Sequence, residues 1–269
     1  MSRRRILPLI PGLLLLAVFL AGALFPQAFT RYGRKEMFDA WEAPSGEHWL
    51  GTNHLGYDIY TELVWGTGDT LVTGLSASAL TLVLGAGMGL LAARRGAAGA
   101  IAGGITNMSL LLPRLIALIV LSAFFGTGRL QLIVLISLFG WGATARAVRA
   151  QVMHLKAMPF ADSLRVQGLG KARIALGHIL PNLSDVLLSR LLLGINSCIM
   201  TESTLSFLGM GDLYYPTWGT MINLAYQRGA LLRQAYAYLL APGAAIALLT
   251  LSFYLISTYF SARAGMTEN

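Results

Sequence analysis

The chain has 269 residues, of which 55% are hydrophobic and only 12% charged, with a formal net charge of +8. A soluble domain carries about 25% charged residues, so this balance excludes an ordinary soluble fold and points to a chain that crosses a bilayer several times. No basic patch with interleaved aromatics accompanies the positive excess, which excludes nucleic acid as the reason for it and leaves membrane orientation as the cause.

Six apolar stretches approach the roughly 20 residues that a bilayer core demands. In chain order they are residues 6–25, 71–91, 105–125, 130–145, 186–208 and 237–260, the fourth being short. Arg3, Arg4 and Arg5 ahead of the first, with Ala21-Gly22-Ala23 at its end, mimic a secretory signal. The apolar run exceeds the roughly 7–15 residues of a signal core, so an uncleaved first helix is expected.

Beyond it, Asp58 to Trp65 carries Ile59, Leu63 and Val64 on one side and Tyr57, Tyr60 and Trp65 nearby, which predicts a helix lying in the membrane interface. Gly85-Ala-Gly-Met-Gly89 in the second stretch permits close helix packing. Arg114 follows Pro113 in the middle of the third stretch, and Glu202 lies in the outer half of the fifth. A central arginine costs about 2.5–3.5 kcal/mol on insertion scales, so such residues face a partner or a watery path. Arg114 and Glu202 are therefore the candidate pathway residues, with a capped or snorkelling arginine and a structural hydrogen bond as their plainer alternatives. Cys198, the single cysteine, sits in an apolar run and reads as a small packing residue. Tyr214, Tyr215 and Trp218 suit the outer membrane surface.

Lysine and arginine set the direction. With the N-terminus inside, twelve of the 20 fall in cytoplasmic segments, six fall outside (Arg31, Arg34, Lys35, Arg129, Arg228 and Arg233), and Arg114 and Arg190 lie within the spans. Both termini are expected in the cytoplasm. Residues 146–185 then form the longest cytoplasmic loop. Its apolar positions Phe160, Leu164, Val166, Leu169, Ile174 and Ile179 fit short amphipathic helices, broken at Gly168 and Gly170 and closed by Pro181. A compact, basic, helical loop at the membrane face is a docking surface, because charge alone would need no such pattern.

These residues carry a resemblance. Asp162-Ser-Leu-Arg-Val-Gln-Gly168 followed by His178-Ile-Leu-Pro181-Asn182 is similar to the "EAA" loop of ABC importer permeases. The segment 48–60, HWLGTNHLGYDIY, resembles the stretch after the first span in dipeptide/oligopeptide/nickel permeases. Residues 201–211, TESTLSFLGMG, and 216–222, PTWGTMI, resemble the end of the fifth span and the following loop of that family. Together the matches cover about residues 49–222. Departures are Asp162 in place of glutamate, Ser163 and Leu164 where small alanines are usual, Tyr57 and Gly68 in place of arginines, and a C-terminus without the usual acidic-basic ending.

The resemblance implies an all-α membrane protein of six transmembrane helices with the type I ABC importer permease fold. Residues 1–70 would supply the first helix and an extracytoplasmic segment, and residues 71–269 the five-helix core. It implies a bacterial inner-membrane subunit that pairs with a second permease, identical or different, two ABC ATPase subunits and an extracytoplasmic solute-binding protein. Asp162, Ser163, Leu164, Gly168, His178, Leu180 and Pro181 would dock on the ATPase. ATP and Mg would be bound by that partner, with no cofactor, metal or catalytic residue in this chain. Alternating access would be the mechanism. The HWLGTNHLG wording and short chain stand nearer to nickel or metal-chelate permeases, with peptide import close behind.

Other classes fit less well. No Gly-x-x-x-x-Gly-Lys-Ser/Thr loop is present, which excludes an ATPase of that kind, and no His-Glu-x-x-His occurs. His48, His54, His154 and His178 are too scattered for a metal site by local spacing. Tyr57-Asp58 with Gly209-Met-Gly-Asp212 mimics the motifs of an intramembrane aspartyl protease, whose carboxylates must share a proton in close contact. A non-transporting membrane anchor would not need the patterned loop.

Overall fold

The computed structural model describes residues 9–159, 170, 173, 177 and 181–264. Its elements are helices α1 (Leu9–Leu24), the short α2 (Pro26–Phe29), α3 (Ile59–Ala92), α4 (Ala97–Leu111), α5 (Arg114–Phe125), α6 (Arg129–Ala157), α7 (Ser184–Leu205), α8 (Trp218–Gln227) and α9 (Tyr236–Ala264). A 3-10 turn, Pro181–Leu183, leads into α7, and a π-helical turn, Ser206–Met210, closes it. Among the described residues there is no strand, only one isolated bridge between Thr52 and Asp58.

Among the described residues four helices are long and apolar enough to cross a membrane, and the pair α4 and α5, bent by 85° at a short break, supplies a fifth crossing if taken as one span. The expected first span appears as the 16-residue α1, shorter than a full crossing, with residues 1–8 outside the described part. The expected helix at Asp58–Trp65 is not a separate interfacial element. It is the first part of α3, which runs for 34 residues without a break and passes through the expected boundary at residue 70. Asp58 starts it, with its Oδ1 accepting from the Thr61 amide at 2.7 Å. The fourth span is also longer than its apolar run. α6 continues to Ala157, so the first third of the expected 146–185 loop is helical.

The third span is broken for a local reason. Pro113 cannot donate to the helical ladder and disfavours helical geometry in Leu112, which adopts ψ 132°.

Helix pairing follows from glycine. A Cβ on Gly85 would stand 2.6 Å from the Thr144 Cβ, and one on Gly89 would stand 2.7 Å from the Ala145 carbonyl oxygen. The bare backbone of α3 therefore seats directly against α6, as small residues allow where apolar burial against lipid gives little drive. Gly74 takes Ile199 of α7 in the same way. The largest core cluster joins Leu71 of α3, Ile195 and Ile199 of α7, Trp218 and Met221 of α8, and Leu249 and Phe253 of α9.

Trp218 differs from its sequence reading as an outer-surface aromatic. It is fully buried, donates its indole N–H to the Leu63 carbonyl at 2.9 Å, and meets Phe19 edge-on. A tryptophan whose N–H finds a buried carbonyl is more stable inside than at the surface. Tyr214, by contrast, is 89% exposed.

Candidate functional site

Three polar regions lie along the bundle. The first is the membrane-proximal end of the loop that the sequence marks as an ATPase dock. Asp162, Ser163, Leu164, Gly168, His178 and Leu180 lie outside the described residues. Pro181 is described and opens the 3-10 turn into α7. The two sides of the loop meet one buried cluster: Val148, Val152 and Leu155 near the end of α6, Leu183 ahead of α7, and Ala93 after α3, with Met158 and Leu187 packed on it. Lys156 donates to the Ala93 carbonyl at 2.8 Å, satisfying an acceptor at the C-terminal end of α3.

The second region is the helix interior. Arg114 is the first residue of α5, directly after the break. Its Nη1 donates to Ser197 Oγ of α7 at 3.1 Å, while Nε and Nη2 are buried without a hydrogen-bond partner. Glu202, also on α7, is 1% exposed and enclosed by hydroxyls. Its Oε1 accepts from Ser206 Oγ at 2.6 Å and Thr217 Oγ1 at 2.7 Å, and Oε2 accepts from Ser203 Oγ at 3.4 Å. Thr217 is also the N-cap of α8, so this carboxylate ties the end of α7 to the start of α8. The two candidate pathway residues thus sit on neighbouring helices but in different settings: Arg114 beside the Ser197 hydroxyl and the Cys198 thiol, Glu202 enclosed by three hydroxyls.

The third region, at the N-terminal part of α3, escaped the sequence reading. Asp69 of α3 is buried and pairs with both Arg34 and Arg129. Arg34 comes from the segment between α2 and α3 and lies over the Trp65 ring, its guanidinium carbon 5.5 Å from the centroid. Arg129 begins α6, lies over the Tyr215 ring at 4.2 Å, and donates its backbone N–H to Asp212 Oδ2 at 2.9 Å. One carboxylate therefore holds together the segment between α2 and α3, α3 itself, α6 and the loop before α8. The signal was present, an uncompensated Asp69 near an apolar run with arginines 35 and 60 residues away in sequence, but nothing local pairs them.

The HWLGTNHLG stretch proves to be a tightly folded loop. Gly51 (φ 80°) and Gly56 (φ 81°) occupy the left-handed region, and a Cβ on Gly56 would stand 2.1 Å from the Phe38 carbonyl oxygen. His48 is buried with Nδ1 3.0 Å from Asp58 Oδ2, and Asn53 Oδ1 accepts from the Leu55 and Tyr57 amides. His54 instead stacks on Tyr238 of α9. Burial first, and then the Arg228 charge, hold the His54 imidazole below its ordinary pKa. The two histidines of the motif are thus engaged separately.

The aspartyl protease alternative fails on the same geometry. Asp58 serves the helix cap and His48, while Asp212 accepts from the amides of Arg129 and Tyr214. Each carboxylate has its own partners, so the two do not form a proton-sharing dyad.

Comparison with known proteins agrees with the resemblance. The profile of the family described as "Binding-protein-dependent transport system inner membrane component" matches residues 82–265. The dipeptide transport system permease protein DppC of Alkalihalophilus pseudofirmus is 30% identical over 251 residues, which is 92% of this chain and 82% of that protein. The oligopeptide transport system permease protein OppC of Bacillus subtilis is 30% identical over 79% of this chain and 71% of its own length. The glutathione transport system permease protein GsiD of Pectobacterium atrosepticum is 31% identical over 79% of this chain and 72% of its own. The all-helical architecture, the several membrane-crossing helices and the matched residues agree: the chain belongs to the binding-protein-dependent transport system inner membrane components, and is a multi-pass permease subunit of an ABC importer rather than an enzyme.

Proposed function

We propose that this chain forms, with a second permease, the pathway through which short peptides enter the cell, delivered by a solute-binding protein and driven by two ATPase subunits. The observation that carries the peptide reading is the set of relatives, whose names specify dipeptide, oligopeptide and glutathione transport. It takes the place of the nickel leaning given by the wording of residues 48–56. The loop after α6 would couple ATP use to alternating access, with Asp162, Gly168, Leu180 and Pro181 at the ATPase surface. The shared cluster of Leu155 and Leu183 supports this, since a loop held at both sides by one packed unit moves with it.

Cells that depend on this importer should take up labelled trialanine, and lose that uptake when this chain is deleted. Gly168→Val should insert normally yet abolish uptake. If deletion removes uptake of a nickel–histidine chelate and leaves trialanine uptake unchanged, the peptide reading is wrong. The proposed orientation puts both termini and the coupling loop in the cytoplasm, as the lysine and arginine distribution favours. Reporter fusions after Lys156 and Asn269 should read as cytoplasmic, and those after Glu42 and Arg228 as external. A cytoplasmic signal at Glu42 would reverse the orientation.

A further inference from the structure

The arginines near the C-terminal ends of α3 and α6 are not matched by acids of the surrounding chain. No carboxylate occurs between Asp69 and Asp162, a stretch that holds Arg94, Arg95, Arg146 and Arg149. Among the described residues none of the ion pairs includes any of these four side chains.

The seam between α4 and α6 gathers them. The Arg149 guanidinium lies against the backbone of α4 at Gly103, where a Cβ would stand 2.7 Å from Nη1. Four residues further along α4, Arg146 Nη2 stands 3.5 Å from Asn107 Oδ1, at the outer limit of a hydrogen bond. Four residues the other way, Gly99 packs on the Arg94 carbonyl, which fixes the Arg94–Arg95 turn at the base of the same helix. Each such step is about 6 Å, so the arginines follow α4 at successive levels.

Their surroundings suit lipid. Ile101, Met108 and Leu111 of α4 and Met153 of α6 are exposed apolar side chains. Gly104, next to the glycine that carries the guanidinium, has nothing within 4 Å of its Cβ position. The result is a shallow slot with cations along one side and apolar surface along the other. Membrane orientation needs only charge near the ends of spans. It does not need Arg146 level with Asn107, about 15 Å along α4 from Ala97, or a guanidinium laid on a glycine. A soluble anion would have no use for the apolar wall.

We infer that Arg146 and Arg149, with the Arg94–Arg95 turn below them, hold the phosphate of an anionic phospholipid whose acyl chains lie in the slot over Gly104 and past Leu111. The guanidinium fork matches a phosphate in two-point contact, and basic pockets between membrane helices take such headgroups. A lipid seated there fastens α4 to α6 on the near side of the Pro113 break, whichever cargo is carried.

The test uses the purified permease–ATPase complex in neutral detergent, with the thermal midpoint as readout. The probes are dioleoylphosphatidylglycerol, dioleoylphosphatidylcholine and inorganic phosphate. Phosphatidylglycerol should raise the wild-type midpoint, and the other two should not at the same concentration. Arg149→Gln and Arg146→Gln should each need about tenfold more phosphatidylglycerol for the same rise, as loss of one charge-assisted hydrogen bond implies. Gly104→Leu fills the slot where there is room and should weaken the response with every charge kept, so the test stays decisive if the arginine variants do not assemble. Arg31→Gln, at an exposed arginine beyond α2, should leave the response unchanged. An equal rise with phosphatidylcholine would mean a general lipid effect, and an equal rise with inorganic phosphate a site for soluble anions. Loss of the ATPase subunits from the arginine variants with an unchanged lipid response would mean a protein dock. Each of these, or an undiminished response in the arginine and Gly104 variants, overturns the lipid site.

Discussion

Gly89→Ala should destabilise the assembled protein by about 1–3 kcal/mol, the usual cost of forcing one extra group into a well-packed contact. The added Cβ would stand 2.7 Å from the Ala145 carbonyl oxygen and 2.8 Å from the Val148 Cβ. The first of these is backbone and cannot rotate away, so α3 and α6 must separate. Gly85→Ala should behave alike, meeting Thr144 and the Trp141 carbonyl. Gly87, two residues from each, has nothing within 4 Å of its Cβ position. Gly87→Ala should be neutral or gain up to about 1 kcal/mol by relieving backbone entropy. Thermal unfolding of the three variants in nanodiscs would check this, and equal effects at positions 87 and 89 would show that the α3–α6 seam is not where the structure places it.

Asp69→Asn should weaken the end of the bundle around Arg34 and Arg129 by a similar amount. Removing one partner from a buried ion pair costs about 3–5 kcal/mol, and partial exposure lowers that here to about 1–3 kcal/mol. The discount follows from side-chain exposures of 29% for Arg34, 21% for Arg129 and 11% for Asp69. The more telling measurement is a double-mutant cycle. Arg34→Gln on the Asp69→Asn background should cost much less than Arg34→Gln alone, because the partner is already gone. Strict additivity would mean that the shared carboxylate holds nothing.

The contrast between these two sites shows what the sequence could reveal. The close approach at Gly85 and Gly89 was legible because small residues four apart share one helix face and act locally, and their consequence needs no knowledge of the partner. The membrane-crossing stretches were legible for the same reason, since hydropathy is a property of a segment. Boundaries were not. α3 absorbs Ile59–Thr70 because Asp58 caps it and Trp218 docks on the Leu63 carbonyl, a contact 155 residues distant in sequence. Likewise α6 outlasts its apolar run because Val148, Val152 and Leu155 keep an apolar stripe among charged residues as far as the cluster shared with Leu183. Arg114 stood out in the sequence by its cost, whereas its bond to Ser197 of α7 joins residues 83 apart and could not be read locally. The Asp69 pairing was invisible because both arginines come from other segments.

The unbroken length of α3 has a mechanical consequence. At 34 residues it measures about 51 Å, against a hydrocarbon core of about 30 Å. It contains no proline, and both ends are loaded. Arg34, Arg129 and Trp218 grip its N-terminal part, and Lys156 fastens the carbonyl just past its C-terminal end to the tail of α6. Such a rod behaves as a rigid lever with its fulcrum in the bilayer. A tilt of about 10° about its midpoint would carry each tip roughly 4 Å, in opposite directions. A push at the C-terminal tip would then move the shared carboxylate of Asp69, about 10 Å beyond the midpoint, by roughly 2 Å in the opposite sense, with no intervening residue needing to change its conformation.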